Sequence, residues 1–177
     1  MADGAAPHMT EITRLAPFTP GPETAREFRN AMGRFPTGVT VVTVQGPNGP
    51  MGITANSFSS VSIDPPLLLW CPAKKSSRFD AFAGADRFAI HILGQGQMEV
   101  ARGFAQRADA FEGLELDPCP HDVPLLADCL ARFECKTVQT HDAGDHMIVV
   151  GEVLEAGYRD GEALVFSEGM FGRFVGH

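Results

Sequence analysis

One tryptophan, one tyrosine and four cysteines among 177 residues leave little room for several architectures. Cys71, Cys119, Cys129 and Cys135 form no CxxC pair, and the Cys129–Cys135 spacing is too wide for a zinc knuckle. Four cysteines are also far too few for a disulfide scaffold, so they read as reduced, mostly buried thiols. Positive charge is scarce: 14 Lys and Arg stand against 22 Asp and Glu, for a net charge of −8 and a pI near 5.1. That balance disfavours non-specific nucleic-acid binding, which needs a surplus of cations against phosphate. No apolar run approaches the ~18 residues of a bilayer span, and the N-terminus lacks a basic-then-apolar signal pattern. A cytoplasmic protein without membrane or nucleic-acid partners is expected. No GxSxG elbow and no Walker A loop occur. Gly94-Gln-Gly96 imitates a dinucleotide fingerprint, but Glu99 stands where its third glycine belongs.

What is present is a hydrophobic fraction of 44% arranged in short β-branched runs, which places the chain among globular proteins. Residues 1–22, interrupted by Pro7, Pro17, Pro20 and Pro22, read as a disordered tail, and 23–177 as one domain. Ala25, Phe28, Met32 and Phe35 recur at helical spacing until Gly33 and Pro36 end the helix. Val39–Val44 is a buried strand. Gly46–Gly49 turns it into a return strand from Met51. Asp64-Pro65-Pro66 is a rigid bend before the strand Leu67–Cys71. Ser76 or Ser77 caps a short helix that Gly84 ends, Arg87–Leu93 is a strand, and 96–106 is helical. Residues 107–124 read as a loop. Leu130–Thr140 and His146–Tyr158 flank the turn 142–145. Asp160-Gly161 is the strongest hairpin signal, and Ala163–Ser167 closes the pattern. Strands joined by tight turns, without regular βα alternation, fit an antiparallel barrel, closed or partly closed, with helical insertions.

Three segments could carry chemistry. Gly52–Phe58 is small and polar: Thr54, Asn56 and Ser57 offer donors and acceptors, and Ala55 offers room for a planar group. A plain polar edge strand is the alternative. Lys74-Lys-Ser-Ser-Arg78 is a basic cluster in an acidic chain, with hydroxyls at a helix start, and suits a phosphate. An ordinary capped helix with solvated lysines is the alternative. His141–His146 contains two histidines and two aspartates, yet a hairpin separates the histidines, so no metal is expected there. One histidine aimed at a site, or a solvated loop, remains open.

Six segments in this order resemble the short-chain flavin reductase family: Phe28–Val39 (FRNAMGRFPTGV), Gly52–Ser62 (GITANSFSSVS), Asp64–Pro66, Cys71–Ser76 (CPAKKS), Phe88–Leu93 (FAIHIL) and Gly144–His146. The resemblance covers about Phe28 to Phe174. It implies a mainly β fold: a split antiparallel β-barrel of Greek-key type with short helices. It further implies a homodimer, FMN or FAD as acceptor, NADH or NADPH as hydride donor, and a separate flavin-dependent monooxygenase that receives the reduced flavin. Carried over, Thr54, Ala55, Asn56 and Ser57 would flank the isoalloxazine. Lys74 and Ser76 would hold the flavin phosphate, with Cys71 and Pro72 nearby. His146 would meet the nicotinamide, with Phe35, Pro36 and Thr37 bordering the same pocket. Phe171, at the end of the barrel, would join the flavin-binding residues; it stands where the family often has Tyr, and His91 where the family usually has Asn.

The implied chemistry is hydride transfer between stacked rings ~3–3.5 Å apart, which depends on orientation, so no catalytic residue beyond the cofactors is expected. His146 is expected to donate a hydrogen bond to the nicotinamide amide or to a phosphate. A flavin-binding or storage protein without reductase activity, a pyridoxamine-phosphate oxidase-like activity, and an interaction module are the competing readings.

Overall fold

The computed structural model describes residues 14–176. The expected tail therefore lies mostly outside the described residues. Residues 14–20 carry no secondary structure and are exposed. A 3-10 turn, Pro22–Thr24, leads into α1 (Ala25–Met32), which Gly33 ends as expected.

Twelve strands follow in chain order. β1 (Thr37–Gly38), β2 (Thr40–Gly46), β3 (Gly49–Ala55), β4 (Ser59–Ser62) and β5 (Leu67–Trp70) precede α2 (Phe79–Ala83). β6 (Arg87–Ile92) leads to α3 (Met98–Gln106). Then come β7 (Leu116–Asp117), β8 (Leu125–Leu126), β9 (Ala131–Ala143), β10 (His146–Tyr158), β11 (Leu164–Ser167) and β12 (Met170–Arg173). Seven of them form one antiparallel sheet in the order β3-β2-β6-β9-β10-β5-β4.

The two edges of that sheet, β3 and β4, are consecutive in the chain and are joined only by 56–58. Six strand spacings would separate the edges of a flat sheet by ~29 Å. The link can span no more than ~14 Å. The sheet must therefore roll up. Its inner face carries Val42, Val44, Leu68, Trp70, Phe88, Ile90 and Val149, with Phe82 of α2 as a plug. Trp70 meets Phe82 edge-on at 5.6 Å. Val39 and Val41 face the outside of the barrel, where Ala101 and Phe104 of α3 cover them. The Val39–Val44 run is thus buried on both faces, which is why it shows no alternation. Gly52 lets α3 approach: a Cβ there would lie 2.4 Å from the Phe104 ring.

Three expectations fail in this part of the chain. Asp160-Gly161 makes no hairpin, because β11 pairs with β1 and β12, not with β10. The glycine answers a packing need instead: its φ is +156°, and a Cβ would lie 2.5 Å from Leu130 Cδ2. The real hairpin lies beyond the expected end of the pattern, at Glu168-Gly169 between β11 and β12. The 107–124 loop also contains β7, which pairs with β8.

His91 is structural. It is fully buried on β6; Nδ1 donates to Val41 O at 3.0 Å, and Nε2 accepts the Leu126 N–H at 3.1 Å. One ring thereby fixes its tautomer and ties the β7–β8 segment to the sheet. Burial pushes its pKa down to about 4, and Arg132 adds to that. An unfolded histidine takes its proton near pH 6.5, so protonation favours the unfolded chain between pH 6.5 and 4, and stability falls with pH across that window. The loss is expected to be on the order of 3 kcal/mol at the acid end. Urea midpoints between pH 4 and 7 should show a shallower acid-side decline for His91→Asn than for the wild type; equal slopes would contradict this role.

Candidate functional site

The link that closes the barrel also builds a polar strip. Ser57 Oγ accepts the Cys71 N–H at 2.9 Å and lies 3.4 Å from Cys71 O, which clips the β3–β4 corner to the end of β5. Beyond β5, Pro72 O accepts the Met147 N–H at 3.1 Å, Lys74 N–H donates to Asp145 O at 2.9 Å, and Ala73 bridges His146. Asn56-Ser57, Cys71–Lys74 and Asp145–Met147 are thus hydrogen-bonded neighbours although they come from three parts of the chain.

Side chains on the strip are held in place. Lys74 Nζ donates to Asp142 Oδ2 at 2.5 Å and to Gly144 O at 2.7 Å. That contact holds the Asp142 carboxyl below the usual range, through the hydrogen bond first and charge second. His146 Nδ1 donates to Asp145 Oδ1 at 2.7 Å, which lowers the Asp145 pKa in the same way. With Nδ1 donating, the neutral ring presents Nε2 as an acceptor. The expected donor role is therefore reversed for the neutral imidazole. His141 lies opposite Ile148 and beside Gln139, so the two histidines do not face each other.

The expected phosphate cradle is narrower than its sequence suggests. α2 starts at Phe79 without a side-chain cap. Ser76 Oγ accepts the Arg78 N–H at 3.2 Å in the turn before it, and Ser77 is exposed. Arg78 is turned away: it donates to Gly52 O at 3.0 Å, Phe104 O at 2.6 Å and Ala105 O at 3.1 Å, and so caps the end of α3. Lys74, Lys75 and Ser76 remain. Thr54 is likewise engaged elsewhere, its hydroxyl donating to Ala101 O of α3 at 2.6 Å. Ala55 offers its carbonyl to Thr40 Oγ1 at 2.8 Å. Of the four residues Thr54–Ser57, Asn56 lines open space.

One hollow adjoins the strip at Asn56 and His146, and a second adjoins the first. A cleft of about 890 Å³ is lined by Phe35, Thr37, Asn56 and His146 among others. It adds Arg29, Arg34, Phe166 and Glu168, which sequence reasoning missed. Arg34 lies inside a quoted segment, but its partner Glu168 is 134 residues away, so no local pattern joins them. A second groove of about 520 Å³ holds Pro36 and Phe171 and shares Thr37 and Ser167 with the cleft. Phe171 packs on Phe166 with ring centroids 5.4 Å apart, and the Arg102 guanidinium carbon lies 5.9 Å from its ring centre. The Thr37 hydroxyl oxygen is buried and has no hydrogen-bond partner among the described residues.

Away from this region, His121, Glu134 and Glu155 place ligand atoms within 4.8 Å of one another. Arginines already engage two of the three. Arg87 donates to His121 Nδ1 at 3.2 Å, and Arg132 Nε lies 3.9 Å from the buried Glu134, which also accepts the Cys119 thiol. This network pins the 107–124 segment to the sheet.

The chain matches the family model described as "Flavin reductase like domain" over residues 32–174. It is 55% identical over 157 residues to the FMN reductase (NADH) SmoA of Agrobacterium fabrum, covering 89% of this chain and 90% of that protein. It is 48% identical over 130 residues to the reductase component of the flavin-dependent trigonelline monooxygenase of Acinetobacter baylyi. That match covers 72% of this chain but only 42% of the relative, which is the longer protein. Among solved structures, the Streptomyces globisporus NADH:FAD oxidoreductase SgcE6, in complex with NAD and FAD fragments, superposes with a TM-score of 0.82. The two are 38% identical, and the match covers 90% of this chain and 98% of that one.

Proposed function

The chain belongs to the flavin reductase-like family, and from that premise we propose that it is an NADH-dependent flavin reductase, taking FMN or FAD as acceptor and supplying reduced flavin to a separate monooxygenase. Relatives named as NADH-dependent reductases favour this over a flavin-storage role. The observation that carries the reading in this molecule is the continuous strip of Asn56-Ser57, Cys71–Lys74 and His146 beside a cleft of about 890 Å³.

The residues present fit a flavin and a nicotinamide dinucleotide. A buried hydroxyl without a partner is costly, and the Thr37 hydroxyl at the junction of the two hollows is one that a bound polar group could satisfy. Bound flavin supplies the ring that accepts the hydride. The protein's part is to hold and orient. Asn56 offers an amide to a heterocycle edge, and Thr54, Ala55 and Ser57 contribute backbone and shape, since their polar groups are engaged. Lys74 keeps one ammonium proton beyond its contacts with Asp142 and Gly144, and with Ser76 it can meet a phosphate. Cys71 and Pro72 shape the floor between them; burial raises the Cys71 thiol pKa, which keeps it protonated and unreactive. Phe35, Pro36 and Thr37 would border the nicotinamide side, and Phe171, in the adjoining groove, would give an aromatic wall toward the flavin.

His146 Nε2 can accept a carboxamide N–H, while Asp145 fixes the tautomer. Positioning without proton transfer has a kinetic signature. NADH oxidation with FMN, FAD and riboflavin in turn tests the activity, and an absence of flavin-dependent oxidation would contradict it. In the same assay His146→Ala should raise KM for NADH more than it lowers kcat; complete loss of turnover at saturating NADH would contradict a positioning role.

A homodimer is part of the proposal. α1 buries none of its own residues, although Phe28, Met32 and the following Phe35 form an apolar stripe; Phe35 is 76% and Ile63 92% exposed. Such a stripe suits a second copy of the chain. Light scattering should give twice the chain mass, with Met32→Asp shifting it toward monomer; a monomeric wild type would contradict this. We also place the enzyme in the cytoplasm. Its four cysteines are unpaired, and no helix among the described residues is long and apolar enough to cross a membrane.

A further inference from the structure

Glu168 holds an unusual position on the rim of the cleft. It stands in the β11–β12 turn with φ +52°, followed by Gly169 at +81°. Turns of this shape favour Gly, Asn or Asp, and a longer side chain there is strained. The turn is docked without the Glu168 side chain, since Glu168 N–H donates to Gly33 O at 3.0 Å and the Ser167 hydroxyl to the same oxygen at 3.3 Å. The side chain is not needed for that docking. Its carboxylate instead takes Arg34 Nη1 at 2.8 Å, in a pair whose side chains are 47% and 73% exposed. An ion pair so exposed adds little stability. Strained backbone carrying a charge of little structural value is a mark of a functional position.

The surroundings indicate the function. Arg29, Arg34 and Glu168 line the same cleft as His146 and Asn56. Cations in such a cleft attract any phosphate that enters, and a free Arg34 would welcome an extra one. In Rossmann-type sites a carboxylate accepts the ribose 2′-hydroxyl and an arginine accommodates a 2′-phosphate; the chemistry of that choice does not depend on the fold around it. Here both groups are present, and the carboxylate occupies the arginine.

We infer that Glu168 is the residue that selects NADH over NADPH: its carboxylate accepts a ribose hydroxyl, repels a 2′-phosphate, and keeps Arg34 from pairing with one. This rests on the NADH-dependent reading above, and it concerns affinity only, since hydride transfer itself is untouched.

The test measures binding apart from turnover. NADH and NADPH are titrated separately into wild-type protein, Glu168→Gln and Glu168→Asn without flavin, and steady-state rates are then taken with FMN. The wild type should bind NADH more tightly. Glu168→Gln should raise NADPH affinity relative to NADH by about tenfold, the scale of one screened charge pair. The change should appear in Kd and KM with kcat little altered, and should shrink as salt is added. Glu168→Asn suits a positive φ, so a matching gain with an unchanged or higher Tm would separate charge from backbone strain. Adding Arg34→Ala to Glu168→Gln should abolish the gain. An unchanged NADPH-to-NADH ratio in both folded variants, or a wild type that prefers NADPH, would overturn the inference. A wild type that binds NADH yet reduces no flavin would contradict the functional reading instead, so the two failures are distinct.

Discussion

The short link at 56–58 is the constraint from which the rest of the molecule follows. It joins the two edge strands of a seven-stranded sheet, and so obliges the sheet to curl until β3 and β4 meet. Curling brings the end of β5 beside that corner, and Ser57 fastens it through the Cys71 amide. The segment after β5 then lies against the β9–β10 turn, which carries His146. A closed barrel and an assembled site are one event in this chain.

The same economy appears on the outer face. Gly52 admits Phe104, α3 covers β2 and β3, and Arg78 secures the end of α3 to Gly52. A cation that the sequence offers for phosphate is thereby committed to the scaffold. Chemistry at the site is left to a few side chains whose freedom has been removed: Lys74 by Asp142, and His146 by Asp145. Such fixed groups suit hydride transfer, where orientation matters more than proton movement.

The strands, the first helix and the barrel class were legible because β-branched runs and tight turns are local signals. The Val39–Val44 run is an example. Asn56 and His146 stand in segments that the sequence singles out, and the cleft places them with Phe35 and Thr37. What could not be read depends on partners distant in sequence. The hydroxyl of Thr54 belongs to α3, the guanidinium of Arg78 to a helix end, and the imidazole of His91 to two backbones. Asp160-Gly161 misled because a glycine required by Leu130 looks the same as one required by a turn. Glu168 was missed since β12 lay outside the expected strands.

The central claim is that the corner, the segment after β5 and the β9–β10 turn form one wall for a flavin. A crystal structure with FMN bound tests it most directly. The account predicts the isoalloxazine against 54–57, the phosphate near Lys74 and Ser76, and an open ring face toward His146. A flavin seated elsewhere, such as in the hollow formed by Gly94–Gln97 and Arg159, would contradict it.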